Sequence, residues 1–318
     1  MDTMEKLGQG GIVPVVVIEN ADKALGTADA LQAGGIHAME ITLRTEAAFD
    51  AIKAVAGQRP DMLVGAGTVL DLEQAKRSID AGAKFIVSPG FDEDVVRFCL
   101  KRDIPVIPGC ATPTEIMHAW NMGCKVLKFF PANVYGGLSA LKALAGPFGD
   151  VKFIPTGGVN TENIGQFINL QFVYAVGGSW VCPKADINAG NYERITELCK
   201  EAVKAVLGFE IAHVGINTQD AEASLKVASS LAGALGMELK AGGSSNFVGS
   251  GIEVMKAPYL GANGHIAMRA NNLEIACAYF EQKGLEVDMG TAKYQNNILK
   301  AVYLKDSFGG FAVHLLRK

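Results

Sequence analysis

Lys128 stands in the run Val126-Leu127-Lys128-Phe129-Phe130-Pro131-Ala132, an ammonium near the end of an apolar β-type stretch. Removing such a charge from water is costly, so a lysine that faces inward there needs a use. A desolvated lysine gives up its proton more readily, and the free amine attacks ketones to form a Schiff base. That chemistry calls for a proton-transfer group, a cation for a carboxylate and, for a phosphorylated substrate, an anion site. Around residue 40, Glu40, Thr42 and Arg44 alternate with Met39, Ile41 and Leu43. Alternate side chains of a strand share a face, so Glu40, Thr42 and Arg44 point the same way. The same parity aligns Val126, Lys128 and Phe130 and puts Lys125 on the opposite face. Glu40 can serve as general acid and base. The planar fork of Arg44 suits a carboxylate. Read alone, Glu40 and Arg44 would equally form a structural ion pair. Thr156-Gly157-Gly158-Val159-Asn160 and Gly177-Gly178-Ser179-Trp180 offer the anion site. Glycine lets backbone N–H groups approach an anion, and a helix starting just after would add a favourable dipole.

The elements that must position these groups recur with an even spacing. Strand-like runs occupy 12–18, 37–43, 62–66, 84–88, 104–108, 125–130, 151–155 and 173–177. Helical patterns fill 21–33, 45–56, 72–81, 93–101, 113–122, 138–145 and 161–168. Strand–helix alternation implies parallel strands with right-handed crossovers. Eight units in about 200 residues predict an α/β fold, a (β/α)8 TIM barrel, in which chemistry sits at the C-terminal strand ends and phosphate after strands 7 and 8. A doubly wound open sheet is the competing arrangement. Its strands would be fewer and less evenly spaced.

After about residue 208 the pattern changes, which predicts domains at 1–208 and 209–318. The strand 211–217, the helix 221–235 and strands at 237–241, 246–248 and 252–256 form one βαβββ unit. A second follows, with a strand at 265–269, a helix at 273–283 and strands at 285–289, 298–305 and 311–317. The openings Ala212-His213-Val214-Gly215-Ile216 and Gly264-His265-Ile266-Ala267-Met268 match. Such internal duplication is a strong fold signal and predicts a smaller α+β domain.

The length of 318 residues suits two domains, and 49% hydrophobic residues suit packed cores. No run of about 18 uncharged apolar residues exists, so no membrane partner is expected. The first eleven residues show no apolar signal region. A net charge of −4 gives no basic footprint for nucleic acid. Six scattered cysteines without a CxxC pair read as reduced thiols in a cytoplasmic protein. Cys110 falls in a loop near the candidate site, where it is either a neighbour of the chemistry or a small buried hydrophobe. His37 and His118 carry no motif and read as structural.

The set Glu40-Ile41-Thr42-Leu43-Arg44-Thr45, Gly65-Ala66-Gly67-Thr68-Val69, Ser88-Pro89-Gly90, Lys128-Phe129-Phe130-Pro131-Ala132, Thr156-Gly157-Gly158 and Gly178-Ser179-Trp180 resembles the class I 2-keto-3-deoxy-6-phosphogluconate (KDPG) / 4-hydroxy-2-oxoglutarate (KHG) aldolases. The resemblance covers about residues 5–208. It implies a keto-acid substrate, no cofactor and a homotrimer. It implies that Lys128 forms the Schiff base and that Glu40 is the general acid and base. Arg44, Thr68 and Thr156 would hold the pyruvyl carboxylate, and Pro89 and Phe130 would shape the pocket. The Gly157-Gly158 pair and Gly178, with Ser179, would take the phosphate. Asn133 departs from the family, where a glutamate often follows Pro-Ala.

Residues from about 210 onward resemble the vicinal oxygen chelate (glyoxalase / bleomycin-resistance) fold, most clearly from His265 to Val287 and over Ser307-Phe308-Gly309-Gly310-Phe311-Ala312-Val313-His314-Leu315. That resemblance implies a divalent-metal site at His213, Glu253, His265 and His314. Imidazole and carboxylate suit Zn, Ni, Mn or Fe. His314 stands where the family usually carries a glutamate, which puts glyoxalase or dioxygenase chemistry in doubt. Three alternatives follow for this domain: a metal-dependent isomerase or lyase, a non-catalytic module that regulates or oligomerises the barrel, or packed histidines without a metal.

Overall fold

The computed structural model describes residues 2–318. It divides into one unit ending at Val206 and another from Leu207 to Lys318.

The first unit opens with α1 (Thr3–Gly10), a helix absent from the sequence expectation. Asp2 and Glu5 cap it reciprocally, each side chain accepting from the other's backbone N–H at 2.7–2.8 Å. Eight strands follow: β1 (Ile12–Val16), β2 (Ala38–Thr42), β3 (Leu63–Gly67), β4 (Ile86–Val87), β5 (Val106–Ile107), β6 (Val126–Phe129), β7 (Lys152–Pro155) and β8 (Val176–Gly178). Helices α2 (Ala24–Ala33), α3 (Ala48–Gln58), α4 (Leu72–Asp80), α5 (Glu93–Leu100), α6 (Pro113–Asn121), α7 (Gly137–Ala145) and α8 (Ile164–Ile168) alternate with them, and α9 (Lys184–Ala189) and α10 (Tyr192–Leu207) end the unit.

All strand pairs are parallel, in the order β5-β4-β3-β2-β1-β8 with a separate β6-β7 pair. Single bridges join the two groups. Gly109 pairs with Lys128 beyond β5, and Phe153 and Thr156 pair with Val173 and Gly177 between β7 and β8. The sheet therefore closes on itself, which rules out the open-sheet alternative. β4 and β5 are shorter than the runs 84–88 and 104–108, because the barrel's inter-strand bonds there reduce to a few residues.

The barrel interior is built by strand parity. Val13, Ala38, Phe85, Val87, Ile107, Val126, Ile154 and Ala175 form one buried cluster, with Leu63 packed against it. Leu7 of α1 is fully buried in the same cluster and closes one end. Burying a leucine of this kind stabilises by roughly 1.5–3 kcal/mol. Two residues further along each strand, on the same face, come Glu40, Gly109, Lys128, Thr156 and Gly177. The apolar layer is thus the floor on which the polar layer stands.

The second unit is an eight-stranded sheet: β9 (Glu210–Ile216), β10 (Leu239–Ala241), β11 (Ser245–Val248), β12 (Ile252–Met255), β13 (Gly264–Ala270), β14 (Val287–Gln295), β15 (Ile298–Phe308) and β16 (Phe311–Arg317). Helix α11 (Ala221–Leu235) follows β9 and α12 (Leu273–Gln282) follows β13, so the βαβββ order occurs twice. The strand order β10-β11-β12-β9-β13-β16-β15-β14 puts the two opening strands side by side, antiparallel, at the centre. Ala228 of α11 packs on Val248 and Val254. β14 and β15 extend beyond 285–289 and 298–305, and join through Asn296-Asn297, both at positive φ. Asparagine tolerates that conformation, which matches the hand of a tight hairpin turn.

Candidate active site

In the polar layer, Lys128 Nζ donates to Glu40 Oε1 at 3.1 Å. Both are buried, Lys128 5% and Glu40 2% exposed. A buried charge without a partner is strongly disfavoured, so each holds the other in place. The Phe130 ring lies 5.4 Å from Nζ and closes one side. Gly67 gives the carboxylate its room: a Cβ there would stand 2.1 Å from Glu40 Oε1. Glycine plays the same part at Gly109 and Gly177, whose Cβ atoms would meet Pro89 O at 2.1 Å and Thr156 Oγ1 at 2.2 Å. These three glycines line the polar layer; the glycine pattern of the sequence pointed Gly177 only to an anion, and nothing in it marks Gly67 or Gly109 for this part. The visible signal was only that each sits at the C-terminal end of a strand run.

Glu40 and Arg44 form no ion pair. Arg44 departs from the alternation that placed it with Glu40, because β2 ends at Thr42 and Arg44 is an exposed turn residue. Its Nε donates to Thr68 Oγ1 at 3.3 Å, and Thr68 has φ 57°. Arg44 and Thr68 thus face each other across the ends of β2 and β3. Thr42 shares the parity of Glu40 but donates to Val16 O at 3.2 Å, an internal bond. Thr156 is buried, with its hydroxyl on Ile154 O at 3.3 Å. Pro89 and Phe130 are half-buried at the ends of β4 and β6.

Gly157 and Gly158 both adopt positive φ, 93° and 83°. Among the described residues no oxygen accepts from either backbone N–H. Consecutive free N–H groups in such a turn make an anion-binding concavity. The expected helix dipole is missing, since α8 starts at Ile164 and α9 at Lys184, well past both glycine pairs. Gly178 ends β8 with Ser179 exposed beside it. Cys110 is buried, and burial pushes its thiol up to about 12. Its backbone N–H donates to Lys128 O at 2.8 Å, so it steadies the strand through the main chain. His37 and His118 are exposed.

The second unit gathers the other predicted residues. His213 pairs with Ala267, which pairs with His314. Glu253 pairs with Gly215, which pairs with His265. These registers put all four side chains on one sheet face. Gly215 makes room for the His265 ring, which a Cβ would meet at 2.1 Å. His213 Nε2 and His265 Nε2 are 3.1 Å apart, and Glu253 Oε2 is 3.0 Å and 3.2 Å from them. One nitrogen from each of His213, His265 and His314 lies within 4.8 Å of the others. The two imidazoles at Glu253, with the Ser245 hydroxyl, hold its carboxyl well below the usual range. Burial pushes His314 down to about 4, with His265 and His213 adding to it. The Tyr303 ring stacks on His314 at 4.4 Å.

Comparison with known proteins places this barrel. The "KHG/KDPG aldolase" of Escherichia coli K12 is 46% identical over 198 residues, covering 62% of this chain and 93% of that protein. A Dickeya dadantii "2-dehydro-3-deoxy-phosphogluconate aldolase" is 45% identical over 197 residues, covering 62% and 92%. Among solved structures, a Legionella pneumophila KDPG aldolase with pyruvate captured as a covalent carbinolamine superposes with a TM-score of 0.61 at 42% identity, over 64% of this chain and 98% of that one. The family model for KDPG and KHG aldolases matches residues 3–198. On that match, the chain belongs to the KDPG and KHG aldolase family.

Proposed function

We propose that the barrel unit is a class I aldolase with Lys128 as its Schiff-base residue and Glu40 as its proton shuttle. The aldolase cleaves KDPG to pyruvate and glyceraldehyde 3-phosphate, and KHG to pyruvate and glyoxylate. The observation that carries the residue assignment is the buried 3.1 Å contact between Lys128 Nζ and Glu40 Oε1. Transfer of the ammonium proton frees the amine, which adds to the C2 carbonyl to give a carbinolamine. Loss of water, protonated by Glu40, leaves an iminium. A base then removes the proton of the C4 hydroxyl, the C3–C4 bond breaks, and its electron pair moves into the iminium as an enamine. The aldehyde leaves. Protonation of the enamine carbon and hydrolysis release pyruvate and the free lysine. To Arg44 with Thr68, and to Thr156, we assign the pyruvyl carboxylate. Borohydride reduction in the presence of pyruvate should label one peptide, carrying Lys128. A label on another lysine overturns the assignment.

The phosphate is assigned to the N–H groups of Gly157 and Gly158, with Gly178 and the Ser179 hydroxyl on the neighbouring strand end. Ser179→Asp places a like charge there. We expect kcat/KM to fall by about 100-fold for KDPG and by less than about threefold for KHG. Equal losses would move the phosphate elsewhere.

The second unit we assign to the vicinal oxygen chelate fold with a divalent-metal site. Its support is the doubled βαβββ order and the four convergent donors. For metal–ligand bonds of about 2.1 Å, neighbouring donors sit roughly 3.0–3.4 Å apart, and the edges among His213, His265 and Glu253 are 3.0–3.2 Å. These edges fit an ion held by His213, His265 and Glu253, and His314, with a ring nitrogen within 4.8 Å of those of His213 and His265, is assigned as the fourth donor. A bound ion would supply Lewis acidity there. Adding Zn or Ni at 100 times its Kd should stabilise the full chain by about 2.7 kcal/mol. The thermal shift should vanish in His213→Ala. No shift with Zn, Ni, Mn or Fe leaves the unit as a regulatory or structural module.

A trimer in the cytoplasm is part of the same reading. The barrel exposes Met117 and Trp120 beside Pro147 and Phe148, an apolar patch of the kind that self-association covers. No helix among the described residues is long and apolar enough to cross a membrane.

A further inference from the structure

β14 carries a break in its ladder: Asp288 pairs with Tyr303 and Lys293 with Ala301, so the residues between them leave the register. Thr291 lies in that stretch. Its hydroxyl accepts from the Tyr303 backbone N–H at 2.9 Å and donates to Asp288 O at 2.7 Å. The Tyr303 N–H is thereby satisfied beside the break. On its other side Tyr303 pairs with His314 of β16. Directly opposite residues on one sheet face stand close enough for their side chains to touch. These two lie face to face, with ring centroids 4.4 Å apart and planes 3° from parallel. Tyr303 is 6% exposed, and Tyr259 and His265 stand edge-on to it at 5.8 Å and 6.2 Å.

His314 is held differently from the other imidazoles of the cluster. His213 and His265 each place a nitrogen on Glu253 Oε2, and the Ser245 hydroxyl donates to Oε1 at 2.6 Å. His314 Nδ1 is buried and has no hydrogen-bond partner among the described residues. A metal-ligating imidazole usually gives its second N–H to a carboxylate or carbonyl, which fixes the ring. The torsion that turns an imidazole about its Cβ–Cγ bond is soft, with broad minima. Without a polar partner only packing stops that rotation, and the flat contact with Tyr303 is such packing. Turning the His314 ring out of the stack drives its edge into the tyrosine face.

We propose that Tyr303 is a positioning residue of the metal site in the second unit: its ring locks the His314 imidazole in the orientation that turns a nitrogen toward His213 and His265, in place of the usual hydrogen-bonded partner. The β14 arm then has a part in the site, because Thr291 ties the backbone of Tyr303. This rests on the divalent-metal reading of the second unit.

The test uses the full chain, with Co and Zn as the probes. Tyr303→Phe keeps the flat ring and loses the hydroxyl. Tyr303→Leu and Tyr303→Ile keep an apolar side chain and lose the flat face. The Kd for Co in Tyr303→Phe should stay within about threefold of the parent, with the same visible absorption of bound Co. In Tyr303→Leu and Tyr303→Ile it should rise by about 10–100-fold, and the absorption should move to that of His314→Ala. Adding Tyr303→Leu to His314→Ala should change Kd by less than about twofold, since the two act through one ring. If the parent binds neither Co nor Zn, the metal reading falls and takes this inference with it. If the parent binds and His213→Ala does not, while Tyr303→Leu matches the parent in Kd and absorption, the Tyr303 inference alone is overturned. A loss in Tyr303→Phe equal to that in Tyr303→Leu would assign the effect to the hydroxyl and overturn the role of the ring. Losses that add in the double variant would mean a loosened sheet, and would likewise overturn it.

Discussion

Lys128→Arg should lose aldolase turnover by a factor on the order of 10⁴–10⁶ while remaining folded. Arginine keeps a positive charge beside Glu40, so the buried carboxylate retains a partner. Its guanidinium stays protonated in proteins and cannot add to a ketone. The variant therefore separates the two things Lys128 does, pairing Glu40 and attacking carbon. Lys128→Met removes both, and leaves the Glu40 carboxyl without its partner in a layer where it is 2% exposed. Breaking a buried pair from one side costs about 3–5 kcal/mol. Lys128→Met should accordingly lose activity and also unfold at a lower denaturant concentration. Steady-state rates with KDPG, borohydride trapping with pyruvate and a urea melt distinguish these outcomes. Turnover above about one hundredth of the parent rate in Lys128→Arg would remove the Schiff base from this residue.

Glu40→Gln should lower kcat by about 10²–10⁴-fold, the usual contribution of a general acid–base group. The amide fills the same space over Gly67 and can still accept from Lys128 Nζ, so the pocket keeps its shape. What it loses is the ability to carry protons between Nζ, the carbinolamine oxygen and the enamine carbon. Pyruvate should still bind, but the reducible adduct should form more slowly. Glu40→Asp retains a carboxylate that is one methylene short of Nζ. It should fall between the parent and Glu40→Gln, because a misplacement of about 1 Å costs on the order of 10²-fold. A parent-like kcat in Glu40→Gln would assign proton transfer to another group.

Much of the barrel was legible because both of its periods are local. Strand–helix alternation marked the eight units, and period-two parity put Glu40 and Lys128 on the inner face before any partner was known. The same reasoning failed at Arg44. Alternation holds only while the chain remains a strand, and β2 stops at Thr42. The helix-dipole expectation for the two glycine pairs failed for a similar reason. Sequence placed the glycines, but the start of the following helix depends on how the intervening turn packs. The 285–295 arm was underestimated because its residues lack an alternating apolar pattern. β14 is held there by pairing with β15 rather than by burial.

The sequence by itself determined the parallel α/β barrel, the duplicated second unit and the inward parity of Lys128, since each follows from repeats within about 50 residues. Only the tertiary structure decided that Glu40, 88 positions away, is the partner of Lys128. It alone decided that Gly67, Gly109 and Gly177 exist to leave room for neighbours on other strands. It also decided that Asn133 rests on Gly158, and it gave the distances among His213, His265, His314 and Glu253, which the sequence grouped only through a resemblance. Such pairings depend on which strands become neighbours and in what register. Those choices are set by closure of whole sheets, and no local pattern of residue types encodes them.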